Sequence, residues 1–248
     1  MNRNNFFIVG AQRSGSTYLL TLLDEHPGIC MAKPVIPEPK YFINKSQYGV
    51  SANEYIELHF NNADHSSQLH GEKSTSYYER EESAHLISHL YPFSKIIFIL
   101  RDPVERALSN YFFSVENGVE KRTIEDVFLD ETKITTTYDS NISTNPFDYV
   151  GRGEYKKFID LYLRYFKKEQ LKILIFEELK GNLSMIQGLF KFLNVDETFI
   201  PNSLMLKINE STKKTHIPDE VRQRLKLYYK TTLPQLEDLL GRDLNVWK

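Results

Sequence analysis

One cysteine, Cys30, stands in the whole chain. That excludes an internal disulfide framework and a cysteine-built zinc site. Long hydrophobic runs are also missing, with none near the ~18 residues that span a bilayer. The opening stretch, Met1 to Asn5, is polar and has no signal-peptide pattern, so the expected compartment is the cytoplasm. Charge of one sign is lacking too: 31 Lys and Arg stand against 33 Asp and Glu, a net charge of −2. No global positive field is available for nucleic acid, so any anion site must be a local cluster. Neither a repeat nor a domain linker interrupts the 248 residues, and a single domain over 1–248 is expected. Hydrophobic residues at 41% and charged residues at 26% predict a packed core rather than disorder.

What is present reads as an α/β chain. Phe6-Phe7-Ile8-Val9, the run from Lys95 to Leu100, and the run from Leu171 to Phe176 are short, apolar and bounded by turn or charge signals. None alternates cleanly with polar residues, as fits strands buried on both faces. Helical patterns separate them. Residues 16–26 carry four leucines and stop at Pro27-Gly28. Residues 103–117 start with Asp102 as N-cap and Pro103 at the first helical position. Residues 154–168 place Tyr155, Phe158, Ile159, Tyr162 and Phe166 on one stripe. Residues 183–193 and 219–229 complete the set. The alternation predicts a central parallel sheet flanked by helices on both faces, in three layers. Residues 132–145, with nine Ser, Thr or Asn in fourteen, read as a surface excursion.

The first strand runs into Gly10-Ala11-Gln12-Arg13-Ser14-Gly15-Ser16-Thr17, and a helix follows. Two glycines let the backbone wrap an anion, and helix-start amides face it. Position and context match a P-loop, but a nucleoside-triphosphate P-loop has Lys where Ser16 stands. The nearby cation is Arg13, so the loop suits a phosphate-like group outside an ordinary ATP site. The strand ending at Leu100 delivers Arg101-Asp102-Pro103 to the same edge of the sheet, and Ser109 follows on the next helix. Arg101 and Ser109 either bracket one anionic group or are an ordinary surface pair with Glu105 and a helix serine. His85 and His89, four residues apart, read as a solvated helix face, and no metal site is expected.

Residues Gln12 through Tyr18 resemble the 5′-phosphosulfate loop of sulfotransferases that use 3′-phosphoadenosine 5′-phosphosulfate (PAPS). Leu100-Arg101-Asp102-Pro103 through Ala107-Leu108-Ser109-Asn110-Tyr111 resembles their 3′-phosphate motif, at the family's interval of roughly ninety residues. The resemblance runs from about Phe6 to about Asp243. Glu38-Pro39-Lys40-Tyr41-Phe42 is similar to the segment bearing the catalytic glutamate of the glycosaminoglycan-type branch. Gly71-Glu72-Lys73-Ser74 is similar to the segment bearing its catalytic lysine. No histidine stands in the early segment where the cytosolic phenol and steroid branch has one, and Pro37 replaces a common Lys before the glutamate.

The resemblance implies a P-loop-like fold and an enzyme close to bacterial carbohydrate or natural-product sulfotransferases. It implies Glu38, Lys73 and Arg13 as catalytic residues. Gln12, Arg13, Ser14, Gly15, Ser16 and Thr17 would hold the phosphosulfate, with Tyr18 stacking on adenine. Arg101 and Ser109 would take the 3′-phosphate, and Lys213 and Lys214 would close over the nucleotide. The donor is PAPS, the product adenosine 3′,5′-bisphosphate (PAP), and the acceptor a carbohydrate or small molecule. Acceptor contacts are expected around residues 41–49, 76–79 and 112–146. Oligomeric state is not readable from the sequence. A P-loop kinase and a nucleotide-binding module without catalysis are the alternatives.

Overall fold

The computed structural model describes residues 5–44, 49–60, 69–130, 143–206 and 216–248. In chain order the regular elements are β1 (Asn5–Gly10), α1 (Ser16–Asp24), β2 (Ile29–Met31), α2 (Tyr41–Asn44), α3 (Ala52–His59), β3 (Leu69–Lys73), α4 (Glu81–Leu90) and β4 (Lys95–Leu100). They continue with α5 (Pro103–Glu116), α6 (Ile124–Phe128), α7 (Tyr155–Leu163), β5 (Leu171–Ile175), α8 (Phe176–Leu179), α9 (Leu183–Leu193), α10 (Asp219–Tyr229) and α11 (Thr232–Leu240). The chain forms two compact units, residues 1–100 with 160–208 and residues 101–159 with 209–248.

The first unit holds a five-stranded sheet in the order β2-β3-β1-β4-β5, with every pairing parallel. Both faces are apolar, which is why the strand sequences do not alternate with polar residues. Phe6 and Ile8 point to a core shared with Ile97, Ile99 and Leu174, the leucines of α1, and Ile186, Leu189, Phe190 and Leu193 of α9. Phe7 and Phe98 point the other way. Phe7 meets Phe42 edge-on at 5.6 Å, and Phe98 meets Tyr162 at 5.2 Å. The three-layer α/β architecture expected from the sequence is therefore present. The chain goes from β1 to β2 and β3 on one side, while β4 and β5 add on the other. The strand order thus reverses between β1 and β4, where open α/β sheets receive ligands at the strand carboxyl ends.

Two strands were not anticipated. β2 has three residues, and β3 reads Leu-His-Gly-Glu-Lys, with one aliphatic side chain. β3 pairs with β1 from Asn5 opposite His70 to Ile8 opposite Lys73. Gly71 permits this approach, because a Cβ there would collide with the Phe6 ring. The helix expected over 154–168 is shorter, ending at Leu163, yet its stripe of Tyr155, Phe158, Ile159, Tyr162 and Phe166 is buried throughout.

The second unit packs α5, α6 and α10 around Leu108, Tyr111, Phe128, Tyr149, Val221, Leu225 and Tyr229. Asp102 caps α5 as expected, accepting from the amides of Val104 at 2.8 Å and Glu105 at 3.2 Å. Arg106 is fully buried and donates to the Tyr149 carbonyl, while Arg152 reaches Asn110 at 3.4 Å. Glu120 accepts from Arg122 Nη2 at 2.6 Å and from the Tyr149 hydroxyl at 3.0 Å. Burial alone would raise its pKa, but the bonds from Arg122 and Tyr149 prevail and hold it at about 2, below the ordinary 4.5. A carboxyl depressed in the native state contributes stability above pH 4.5 and loses it as the pH falls toward 2. Glu120→Gln is therefore expected to lower the melting temperature at neutral pH, with the gap to the wild type narrowing below pH 4.5. Equal gaps in melts at about pH 7 and about pH 3.5 would contradict this reading.

Candidate active site

The loop after β1 has the backbone of an anion cradle. Ala11 N–H bonds the Ile99 carbonyl at 2.8 Å, tying the loop to β4. Arg13 sits at φ 66° and Gly15 at φ 85°, both in the left-handed region. At Arg13 this conformation costs on the order of 1–3 kcal/mol, a strain that marks functional turns. Gly15 is also required sterically, since a Cβ would strike the Phe176 ring. α1 begins at Ser16, and among the described residues no side chain caps its start. Its first amides are available to an anion, at the positive end of the helix dipole. Ser14 is fully buried, and its hydroxyl has no hydrogen-bond partner among the described residues. An orphaned hydroxyl, an uncapped helix start and a left-handed glycine together fit a phosphate or sulfate group. Gln12, Arg13, Gly15 and Thr17 are half-buried around it, and Ser16 is nearly covered.

Tyr18 differs from expectation. It is 3% exposed, its hydroxyl donates to the Leu204 carbonyl at 2.6 Å and accepts from Gly181 N–H at 3.1 Å. Its ring lies edge-on to Phe176 in the core beneath the loop. This packing is that of a core aromatic and leaves no ring face for adenine, so the stacking role is withdrawn.

At the carboxyl end of β3, on the strand beside β1, two of the three residues expected to be catalytic meet. Lys73 Nζ lies 2.9 Å from Glu38 Oε1, with side-chain exposures of only 8% and 17%. Thr75 holds the same carboxylate twice, through its amide at 2.9 Å and its hydroxyl at 3.1 Å. A carboxylate has about four acceptor directions. Lys73 and the two Thr75 groups take three, which leaves room for an incoming hydroxyl or amine. Pro37 in front of Glu38 therefore does not displace it from Lys73. Thr75 was missed by sequence reasoning, and its only signal was its place just past the lysine segment.

Behind this pair lies a buried carboxylate. Glu72 is 1% exposed and accepts from Tyr55 at 2.7 Å and Ser74 at 2.6 Å. Burial raises its pKa, against the opposing hydrogen bonds from Ser74, Tyr77 and Tyr55. Burial, and then the Glu72 charge, push the Tyr55 and Tyr77 phenols far above their ordinary value, so both stay protonated donors. Ser76, Tyr77 and Tyr78, expected to touch the acceptor, are instead buried, and so are Tyr41 and Phe42. Their apolar rings fill the core under the site.

In the second unit, the Arg101 carbonyl is fixed by the Tyr155 hydroxyl at 2.6 Å. The Arg101 guanidinium approaches Glu105 only loosely, at 3.9 Å, and Arg222 takes the other oxygen of that carboxylate. Ser109 is half-buried two turns along α5. Lys213 and Lys214 lie outside the described residues. His85 and His89 are exposed on α4, and no group of three or more metal-ligating side chains occurs among the described residues. No described helix is long and apolar enough to cross a membrane.

An open parallel sheet with a glycine-bearing turn after its first strand and a Glu–Lys pair at the neighbouring strand end is the architecture of a P-loop-like α/β fold. The sulfotransferase domain family matches residues 3–226, and the chain belongs to that family, a family of transferases. Bifunctional heparan sulfate N-deacetylase/N-sulfotransferase 4 of Mus musculus is 29% identical over 199 residues, covering 77% of this chain and 22% of that protein. Heparan sulfate glucosamine 3-O-sulfotransferase 3B1 of Homo sapiens is 26% identical over 258 residues, covering 95% of this chain and 63% of that protein. The chain thus spans less than two thirds of these relatives. A solved sulfotransferase from Alicyclobacillus acidocaldarius superposes with a TM-score of 0.81 at 26% identity, covering 100% of this chain and 99% of that one. The sulfotransferase domain of the Synechococcus PCC 7002 olefin synthase shares the fold, with a TM-score of 0.57 at 16% identity and coverages of 98% and 96%.

Proposed function

We propose that this chain transfers a sulfuryl group from PAPS to a hydroxyl or amine of a carbohydrate or small-molecule natural product, releasing PAP. The meeting of Glu38 and Lys73 at 2.9 Å in a member of the sulfotransferase family carries this reading. PAPS supplies an activated sulfuryl group on a phosphate leaving group. The loop amides, with Gln12, Arg13, Ser14, Gly15, Ser16 and Thr17, hold the phosphosulfate. Lys73 Nζ stabilises negative charge on the departing phosphate oxygen, and Arg13 adds to that field. Glu38 takes the proton from the acceptor as its oxygen or nitrogen bonds to sulfur and the S–O bond to phosphate breaks. Arg101 and Ser109 hold the 3′-phosphate, and Lys213 and Lys214 are assigned to the nucleotide. Positioning and electrostatics carry the reaction, as in phosphoryl transfer, and the mechanism draws on no metal. The whole chain, 1–248, acts as one catalytic domain.

Two of the curated relatives are named for heparan sulfate, one for N-sulfation and one for glucosamine 3-O-sulfation. A glucosamine-containing glycan is accordingly the first acceptor to try. Label transfer from PAPS is measured to heparan-type oligosaccharides bearing free amines or free hydroxyls, with phenols and aliphatic alcohols alongside. Transfer to any of these supports the reading, and PAP release with none, in a protein that binds PAP, would leave a nucleotide-binding module with hydrolysis alone.

Arg101→Ala is expected to weaken PAP by about 1.5–3 kcal/mol, roughly ten- to a hundredfold, as for loss of a charge-assisted bond. Binding of adenosine 5′-phosphosulfate, which lacks the 3′-phosphate, should be unchanged. Equal losses in the two calorimetric titrations would remove Arg101 from the 3′-phosphate.

A further inference from the structure

We propose that Glu72, which the mechanism above does not use, is a positioning residue that aims Glu38 at its acceptor through the Ser74 hydroxyl. The proposal rests on the sulfuryl-transfer reading. Glu72 stands on β3 immediately before Lys73, with its carboxylate inside the core. Ser74 donates to Glu72 Oε1 at 2.6 Å and accepts from the Lys40 amide at 2.9 Å. The Tyr77 hydroxyl separately accepts from the Phe42 amide at 3.1 Å.

An ionised carboxylate only accepts, so it fixes the direction of the relay. The Ser74 hydroxyl proton points to Glu72, and an oxygen lone pair faces the amide of residue 40. The segment after Glu38 is thereby anchored two residues beyond the base. Lys40 needs that anchor, because it sits at φ 51°, a left-handed conformation costly for a residue with a side chain. Glu38 and Lys73 arrive from distant parts of the chain, and Glu72 ties one segment to the strand that bears the other. Tyr55 is the internal control. It donates to the same carboxylate at 2.7 Å, but its hydroxyl passes no hydrogen bond to residues 38–42, and its ring packing on Tyr41 and Phe42 is kept in Tyr55→Phe.

Ser74→Ala, Tyr55→Phe and Glu72→Gln separate positioning from plain stability. Each removes or reverses a hydrogen bond at Glu72. Sulfuryl transfer from PAPS to the panel acceptor that takes most label is measured at saturating acceptor, with melting temperature and donor KM alongside. Ser74→Ala and Glu72→Gln are expected to lower kcat about 10- to 100-fold, as for a reacting group misplaced by a fraction of an ångström. Donor KM should stay within about twofold, and Tyr55→Phe should keep wild-type kcat. The Ser74→Ala/Glu72→Gln double variant should be no slower than Glu72→Gln alone, since both act on one relay. Should Glu72→Gln fail to fold, the contrast between Ser74→Ala and Tyr55→Phe decides the matter. If those two lose stability alike and keep equal kcat, Glu72 is only a structural carboxylate and the proposal is overturned. Wild-type protein that moves label to no acceptor overturns the sulfuryl-transfer reading itself, and the positioning role falls with it.

Discussion

Glu38→Gln is expected to abolish sulfuryl transfer, by about 10²–10⁴-fold in kcat, while leaving the nucleotide bound. Gln keeps the shape and can still accept from the Thr75 amide, which lies 2.9 Å from Glu38 in the native protein. It cannot take the acceptor's proton. The substitution also removes a negative charge close to where an anionic donor would bind, so PAP affinity should be equal or higher. This pairing of lost turnover with unchanged or tighter binding is specific to a base. A structural glutamate would lose both together or neither. Wild-type turnover in Glu38→Gln, measured by label transfer from PAPS, would take Glu38 out of the mechanism.

Lys73→Ala is expected to cost about 10²–10³-fold in kcat, the scale of removing one preorganised donor to a developing charge. Donor affinity should fall far less, because the charge that Lys73 answers grows only as the S–O bond breaks. The variant also strips a nearly buried carboxylate of its cation. Breaking such pairs costs on the order of 3–5 kcal/mol, although the two Thr75 bonds to Glu38 remain and soften the loss. Rates must therefore be compared per folded molecule, from melts run alongside. If affinity for PAP and PAPS falls tenfold or more while kcat holds, Lys73 is a binding residue and the leaving-group role is wrong.

The legible parts of the fold were those where local chemistry and tertiary structure agree. β1, β4 and β5 announced themselves because strands covered on both faces carry unbroken apolar runs. α5 was bounded correctly by Asp102 and Pro103, whose capping chemistry is local. β3 was illegible as a strand. Its His70, Glu72 and Lys73 are buried, and a polar strand interior makes sense only once the hydroxyls of Tyr55 and Ser74 and the carboxylate of Glu38 are in place. Those partners come from other segments, and no window of sequence shows them. The same holds for the site. The strand-to-helix turn from Gln12 to Thr17 was readable because it is continuous, whereas the bonds of Thr75 to Glu38 and of Glu72 to Tyr55 join segments distant in the chain. The adenine role of Tyr18 came from the resemblance alone. Its ring in fact fills the core under Phe176.

The central claim is that the loop after β1 serves a 3′-phosphorylated sulfonucleotide rather than a nucleoside triphosphate. Thermal shift with PAP, with ADP, and with ATP and magnesium tests it most directly. A ligand at about 100 times its dissociation constant adds ~2.7 kcal/mol, or roughly 5–10 °C for a chain of this size. Stabilisation of that order by PAP, with little from ADP or from ATP and magnesium, is the predicted result. Stabilisation by ATP and magnesium with none by PAP would contradict the account, because the cradle of Arg13, Ser14 and Gly15 would then be a kinase site.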